Sequence, residues 1–239
     1  MAFIELPADA GFSVEAGTGT YYCIDDTEVT QAQYAQFLAA KGSDTSGQTA
    51  QCAGNTSYTP SCGATPSGFD PATTPNRPVV CVDWCDAFAF CTWAGKRLCG
   101  QIGSGPGGRG WPSQWGYACL NGNLSQDAAA SQDPYGEGPV AGECVDSSYQ
   151  VDGAAPSTPS DVGSAPQCRG GSSPFSEVVD LVGNVAEWND WVGNTPSTST
   201  PADFGGAFDR PPVTCGGSVD FKGDNSLAFP DVGFRCCAP

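Results

Sequence analysis

Thirteen cysteines in a chain of 239 residues constrain this sequence more than any other feature. None are arranged as Cys-x-x-Cys. The closest spacings are Cys81 to Cys85, Cys85 to Cys91, and the adjacent Cys236-Cys237. Zinc ribbons are built from paired Cys-x-x-Cys knuckles, so a structural metal centre does not account for these residues. Reduced cytosolic proteins rarely carry so many cysteines without such spacing, which leaves disulfides and an oxidising compartment. The chain is therefore expected to work as a secreted or cell-envelope protein. Met1–Leu6 holds neither a basic region nor a long apolar stretch, so the export signal is expected to lie outside this sequence. No run of apolar residues reaches the length of a transmembrane helix. An odd number of cysteines leaves at least one thiol free or joined to another molecule.

The charge narrows the partners. Twenty-six acidic residues face 9 basic ones, for a net charge of −17. Nucleic-acid binding rests on Lys and Arg neutralising phosphates, and anionic membrane surfaces attract the same side chains, so both are excluded. The field favours cations, Ca²⁺ above all. The chain contains no His. Ser-His-Asp catalysis, His-ligated zinc and the His-carboxylate iron triad are excluded with it.

With 32 glycines and 20 prolines, long helices cannot dominate. Thr18–Asp25 reads as a strand. Thr30 caps a following helix, with Gln33 at the capping-box position and Gly42 as its terminator. Pro78–Val82 reads as a short buried strand. Asp83 caps a second helix whose residues Trp84, Ala87, Phe88, Cys91 and Ala94 recur at spacings of three and four. Gly95 ends it, and Ser113–Cys119 is a third, short helical piece. Short segments follow at Val178–Trp188, Cys215–Phe221 and Val232–Cys236. Residues 43–76 and 120–175 read as loops longer than unstapled chains usually tolerate. Length and the lack of repeats indicate one domain over residues 1–239.

Four segments, taken together and in order, resemble the sulfatase-modifying-factor, or formylglycine-generating-enzyme, family. They are Glu28-Val29-Thr30 with Gln33-Tyr34 and Phe37-Leu38; Pro78-Val79-Val80 with Asp83-Trp84 and Ala87 to Leu98; Asp180 to Trp188; and Gly216-Gly217-Ser218 followed by Gly233-Phe234-Arg235-Cys236. The resemblance implies an α+β, C-type-lectin-like fold with little regular structure, stapled here by several disulfides. The same segments also carry a plain structural reading, with Trp84, Trp93 and Trp188 as core anchors and Lys96-Arg97 closing a helix.

The catalytic members of that family bind Cu(I) through two cysteines shortly after the Gly-Gly-Ser motif, with four residues between them; thiolates are the soft ligands this ion selects. Here that stretch runs Val219 to Ser226 without a cysteine, and Phe221 and Ser226 stand at the two positions. Adjacent Cys236 and Cys237 make a poor substitute, because neighbouring strand residues face opposite ways. The iron-dependent sulfoxide synthases of the family need His. The reading that follows is a non-catalytic, calcium-binding, secreted recognition module whose ligand is a protein or a glycan. The alternative is a divergent oxidase acting on a cysteine of another exported protein.

For calcium, the resemblance implies a site at Asp180–Glu187, with the carboxylates of Asp180 and Glu187 and the carbonyls of Gly183 and Val185 as ligands. Ca²⁺ takes hard oxygens and tolerates such mixed donors. Asn184 is expected to tie the turn instead. A second family site near residues 143–170 is not expected, since Cys144 and Val145 replace the side chain it needs. The acids Asp25, Asp26 and Glu28 read as turn chemistry near a helix start. Asp220 and Asp224 could hold a cation or stand in solvent.

The resemblance also pairs Cys119 with Cys236 and makes Cys91 the buried, unpaired cysteine. Cys23 with Cys237, and Cys144 with Cys168, would staple a terminus and a long loop. Cys52, Cys62, Cys81, Cys85, Cys99 and Cys215 are left without assigned partners.

Overall fold

The computed structural model describes residues 1–6, 21–102, 113–123, 135, 140–150, 152–190, 201–215, the backbone of 220–221, and 225–239. Two four-stranded sheets meet near the end of the chain. The first has the order β1-β2-β8-β3 and is antiparallel throughout: β1 is Ala2–Glu5, β2 Tyr21–Ile24, β3 Arg97–Leu98 and β8 Cys236–Ala238. The second has the order β6-β5-β4-β7, with β4 at Ala186–Asn189, β5 at Ala202–Phe204, β6 at Asp220–Phe221 and β7 at Val232–Phe234. Its β4 and β7 run parallel, and its other pairs are antiparallel. One residue, Arg235, separates β7 from β8, so the chain passes from one sheet to the other across it. This is the α+β class implied by the sequence.

The helices form where local chemistry dictates. In α1, Gln31–Lys41, Thr30 accepts from the Gln33 backbone while the Gln33 side chain accepts from Thr30 N, closing both halves of a capping box. Gly42 ends the helix at φ +57°. In α2, Trp84–Trp93, Asp83 and Asp86 form the same reciprocal cap. The third helix, α3, runs Gln114–Cys119 behind Ser113. The expected strand at Pro78–Val82 is a correction. Pro78 makes one isolated bridge to Thr30. Val79–Val82 is buried but lies outside both sheets, and the chain bends at Cys81, where φ is +59°. The strand expected over Thr18–Asp25 is seen as Tyr21–Ile24, residues 18–20 lying outside the described residues.

Two buried clusters flank the sheets. Ile4, Tyr22, Ile24, Trp115 and Tyr117 belong to one, and Tyr34, Phe37, Trp84, Phe90, Trp188 and Phe234 to the other. Trp84 and Trp188 are core anchors, as the structural reading has it. Their indole N–H groups donate to the carbonyls of Asn189 and Val82. Trp93 is 41% exposed at the edge of this cluster.

Six disulfides use twelve of the cysteines: Cys52–Cys85, Cys62–Cys81, Cys91–Cys236, Cys99–Cys237, Cys119–Cys215 and Cys144–Cys168. The last matches the sequence reading; three other assignments are corrected. Cys119 joins Cys215, not Cys236. Cys91 is not free; it lies against β8 and takes Cys236. Cys23 does not reach Cys237, because β2 and β8 pair with Ile24 opposite Cys237 and Cys23 opposite Ala238. Side chains alternate along a strand, so a one-residue offset puts Cys23 on the other face. Cys23 is the free cysteine and is half-buried. One thiol per unreduced chain should therefore be alkylated, at Cys23, and Cys23→Ser should abolish labelling. Label recovered at Cys91 by peptide mapping would contradict this pairing.

Candidate functional site

The segment from Val179 to Glu187 threads between the two sheets and is held by its own polar groups. Its turns use the left-handed region: φ is +55° at Asp180, +79° at Gly183 and +53° at Asn184. At Gly183 the conformation and the space coincide, since a Cβ there would stand 2.6 Å from the Val145 carbonyl oxygen. Asn184 ties the turn at four points. Its backbone N–H donates to Val145 O at 2.6 Å, its carbonyl accepts from Phe208 N at 3.0 Å, its Oδ1 accepts from Ser160 N at 2.9 Å, and its Nδ2 donates to Glu28 Oε1 at 2.9 Å.

The two carboxylates singled out by sequence have different surroundings. Asp180 is 1% exposed; its Oδ2 accepts from Gly163 N at 2.5 Å. Its Oδ1 is buried without a hydrogen-bond partner among the described residues. Burial pushes the Asp180 carboxyl up to about 6, opposed by the Gly163 N–H and by Arg235. Glu187 lies on β4, fully buried, and both its oxygens are taken. Arg235 Nε donates to them at 2.9 and 2.8 Å, Arg235 Nη2 donates to Oε1 at 2.7 Å, and Trp115 Nε1 donates to Oε2 at 2.9 Å. The remaining Arg235 N–H groups bond the carbonyls of Asp25, Asp26 and Val179. Burial works against the Arg235 charge, but Glu187 holds the guanidinium protonated. Burial likewise raises Glu187, and Arg235 opposes it.

Glu28, Trp115 and Arg235 complete this centre and were not singled out as site residues from the sequence. Glu28 is 1% exposed, and its Oε2 has no partner among the described residues. Its carboxyl is held well above the usual range by burial first, then by repulsion from Asp180, with Arg235 opposing. The turn reading holds for the neighbouring acids: Asp25 accepts from Lys96 Nζ at 2.5 Å and from Cys236 N at 3.2 Å. Glu28 departs from it by turning inward. The signal was present in that Glu28 and Arg235 both sit inside quoted motifs.

Asp180 thus fits a hard cation: one of its oxygens is buried and has no partner among the described residues. Glu187 fits one poorly, because a cation on its carboxylate would stand beside the Arg235 guanidinium. Among the described residues, no group of three or more Cys, Asp or Glu side chains is gathered as a metal cluster. Val145, at the expected place of a second family site, offers its backbone carbonyl to Asn184, and Cys144 is in a disulfide. Gly216-Gly217-Ser218, Val219 and Asp224 lie outside the described residues, as do the side chains of Asp220 and Phe221.

A groove of about 380 Å³ opens beside this segment. Val182 and Gly183 form one wall, Cys144 and Arg169 another, and Pro211, Pro212 and Val213 a third. No described helix is long and apolar enough to cross a membrane.

The comparisons agree with this fold. CarF matches with a TM-score of 0.58 at 21% identity, over 100% of this chain and 93% of that one. PvdO from Pseudomonas aeruginosa gives 0.57 at 18% identity, over 98% and 89%. Treponema denticola variable protein 1 gives 0.52 at 16% identity, over 100% and 94%. At these identities the likeness is one of fold. The formylglycine-generating enzyme of Bos taurus is 42% identical over 48 residues, which is 20% of this chain and 10% of that enzyme. A sulfatase-modifying factor enzyme 1-like domain is matched across residues 17–238, and the chain belongs to that family.

Proposed function

We propose that this chain is a non-catalytic recognition module of an exported protein, which binds Ca²⁺ at the Asp180–Glu187 loop and a protein or glycan ligand in the adjoining groove. The observation that carries the reading is the cysteine pairing. Twelve of thirteen are joined in disulfides, and the single remaining thiol cannot supply a two-thiolate Cu(I) site. None of the six resembles a pair with four residues between: the shortest sequence separation is 19, at Cys62–Cys81. The groove has the size of a small-ligand site, which runs from roughly 300 to 1,000 Å³. It shares Gly183 with the loop, so an ion that orders the loop also orders one wall of the groove. The disulfides support an oxidising location.

The ion should stabilise the folded chain. Binding to the native state alone adds about 2.7 kcal/mol at a hundredfold excess over Kd, or roughly 5–10 °C in Tm for a chain of this size. EDTA should lower Tm by that amount and excess Ca²⁺ restore it. A Tm indifferent to chelator would remove calcium from the proposal. Cu(I) titration with a thiol-peptide oxidation assay addresses the rest: tight copper binding with oxygen uptake would favour the oxidase. A glycan array read with and without Ca²⁺ identifies the ligand class.

A further inference from the structure

We propose that Glu28, not Glu187, supplies the second carboxylate of the cation site, beside Asp180. The inference rests on the calcium reading above and changes its ligand set.

Glu28 and Asp180 come from opposite ends of the chain but share one pocket of backbone. Val179 N donates to Asp26 O at 2.8 Å, which lays the Asp26–Glu28 segment alongside Val179–Asp180. Asn184 Nδ2 then clips Glu28 Oε1 to the loop at 2.9 Å. Each carboxylate has one oxygen anchored by a protein N–H and a second, buried oxygen with no partner among the described residues. Both side chains are 1% exposed. A buried, unpaired carboxylate is strongly disfavoured unless a counter-charge reaches it.

The charge count points the same way. Glu28, Asp180 and Glu187 carry three negative charges when ionised, and Arg235 returns one. Arg235 is committed to Glu187 through Nε and Nη2, so the uncompensated pair is Glu28 with Asp180. A divalent cation balances two charges. Two buried carboxylate oxygens are hard donors, which suit Ca²⁺ over softer ions.

The experiment is calorimetric titration of CaCl2 into the disulfide-intact chain and three variants, with near-UV circular dichroism to report the fold. Glu28→Gln keeps an oxygen for Asn184, and Asp180→Asn keeps one for Gly163. Loss of a hydrogen-bonding neighbour of a metal ligand typically costs 10–100-fold in affinity, so loss of a direct ligand should cost at least about tenfold. Both variants should therefore weaken Ca²⁺ by at least about tenfold with an unchanged spectrum. Glu187→Gln should destabilise the fold and, by freeing Arg235 to offset the pair, weaken Ca²⁺, but less than Glu28→Gln does. Wild-type affinity in Glu28→Gln, or a larger loss in a folded Glu187→Gln than in Glu28→Gln, overturns the assignment while leaving the calcium reading intact. No heat and no Ca²⁺-dependent Tm in the wild-type chain overturns both. If Glu28→Gln does not fold, Glu28→Asp replaces it: the shortened carboxylate should weaken binding without abolishing it, and unchanged affinity again overturns the proposal.

Discussion

Arg235→Met should lower the unfolding free energy by about 3–5 kcal/mol in calcium-free buffer, the range found when one partner of a buried ion pair is removed. The size follows from what the guanidinium holds. It is 1% exposed, and its N–H groups reach Glu187 on β4, the carbonyls of Asp25 and Asp26 after β2, and Val179 before the loop. It therefore joins both sheets and the candidate site at the one residue that separates β7 from β8. Methionine fills much of the volume but leaves Glu187 charged, with Trp115 Nε1 as its remaining donor. The carbonyls of Asp25 and Val179 lose the Arg235 donor as well, while Asp26 O keeps the Val179 N–H. Urea unfolding monitored by tryptophan fluorescence measures the loss. A change below about 1 kcal/mol would mean that the cluster can neutralise itself. Glu187→Gln should cost less than Arg235→Met, since its amide oxygen still accepts from one Arg235 N–H.

What was legible in the sequence was local. Thr30 with Gln33, and Asp83 with its helix, announce their caps within four residues, and both helices begin where those side chains place them. The Asp180–Glu187 motif was legible as a unit because its turns need Gly183 and Asn184 at fixed positions. The partners of that unit were not. Glu28 meets Asn184 across 156 residues, and Arg235 meets Glu187 across 48. Nothing local marks Glu28 as inward-facing when Asp25 beside it bonds Lys96 at the sheet edge. The cysteines failed for a related reason. Which of Cys91 and Cys119 takes Cys236 depends on how α2 and α3 dock on the first sheet, and Cys23 missed Cys237 by one residue of register. Pro78–Val82 has a strand's composition, but Val79 and Cys81 spend their N–H groups on single bonds to Val29 and Phe229. No ladder forms there.

The adjacent cysteines at the chain end should give a strongly non-additive result. Cys91–Cys236 and Cys99–Cys237 close loops of sequence separation 145 and 138 that almost coincide. Cys236 and Cys237 point to opposite faces of β8, so one bond ties the strand to α2 and the other to the chain just after β3. With either bond intact the large loop stays closed, and the other adds only a ring of about ten residues. In the chain-entropy model that second ring is worth about 2.5 kcal/mol, whereas the first closure, its loop shortened to about 50 residues by Cys119–Cys215, is worth about 4 kcal/mol. Cys91→Ala with Cys236→Ala, or Cys99→Ala with Cys237→Ala, should therefore each cost about 2.5 kcal/mol. The quadruple variant should lose about 6.5 kcal/mol, which is comparable to the whole stability of a typical domain. It should show no cooperative urea transition at 25 °C, while both double variants retain one. If instead the quadruple loss equals the sum of the two double losses, each bond acts through native-state packing, and the shared-loop account of this terminus is wrong.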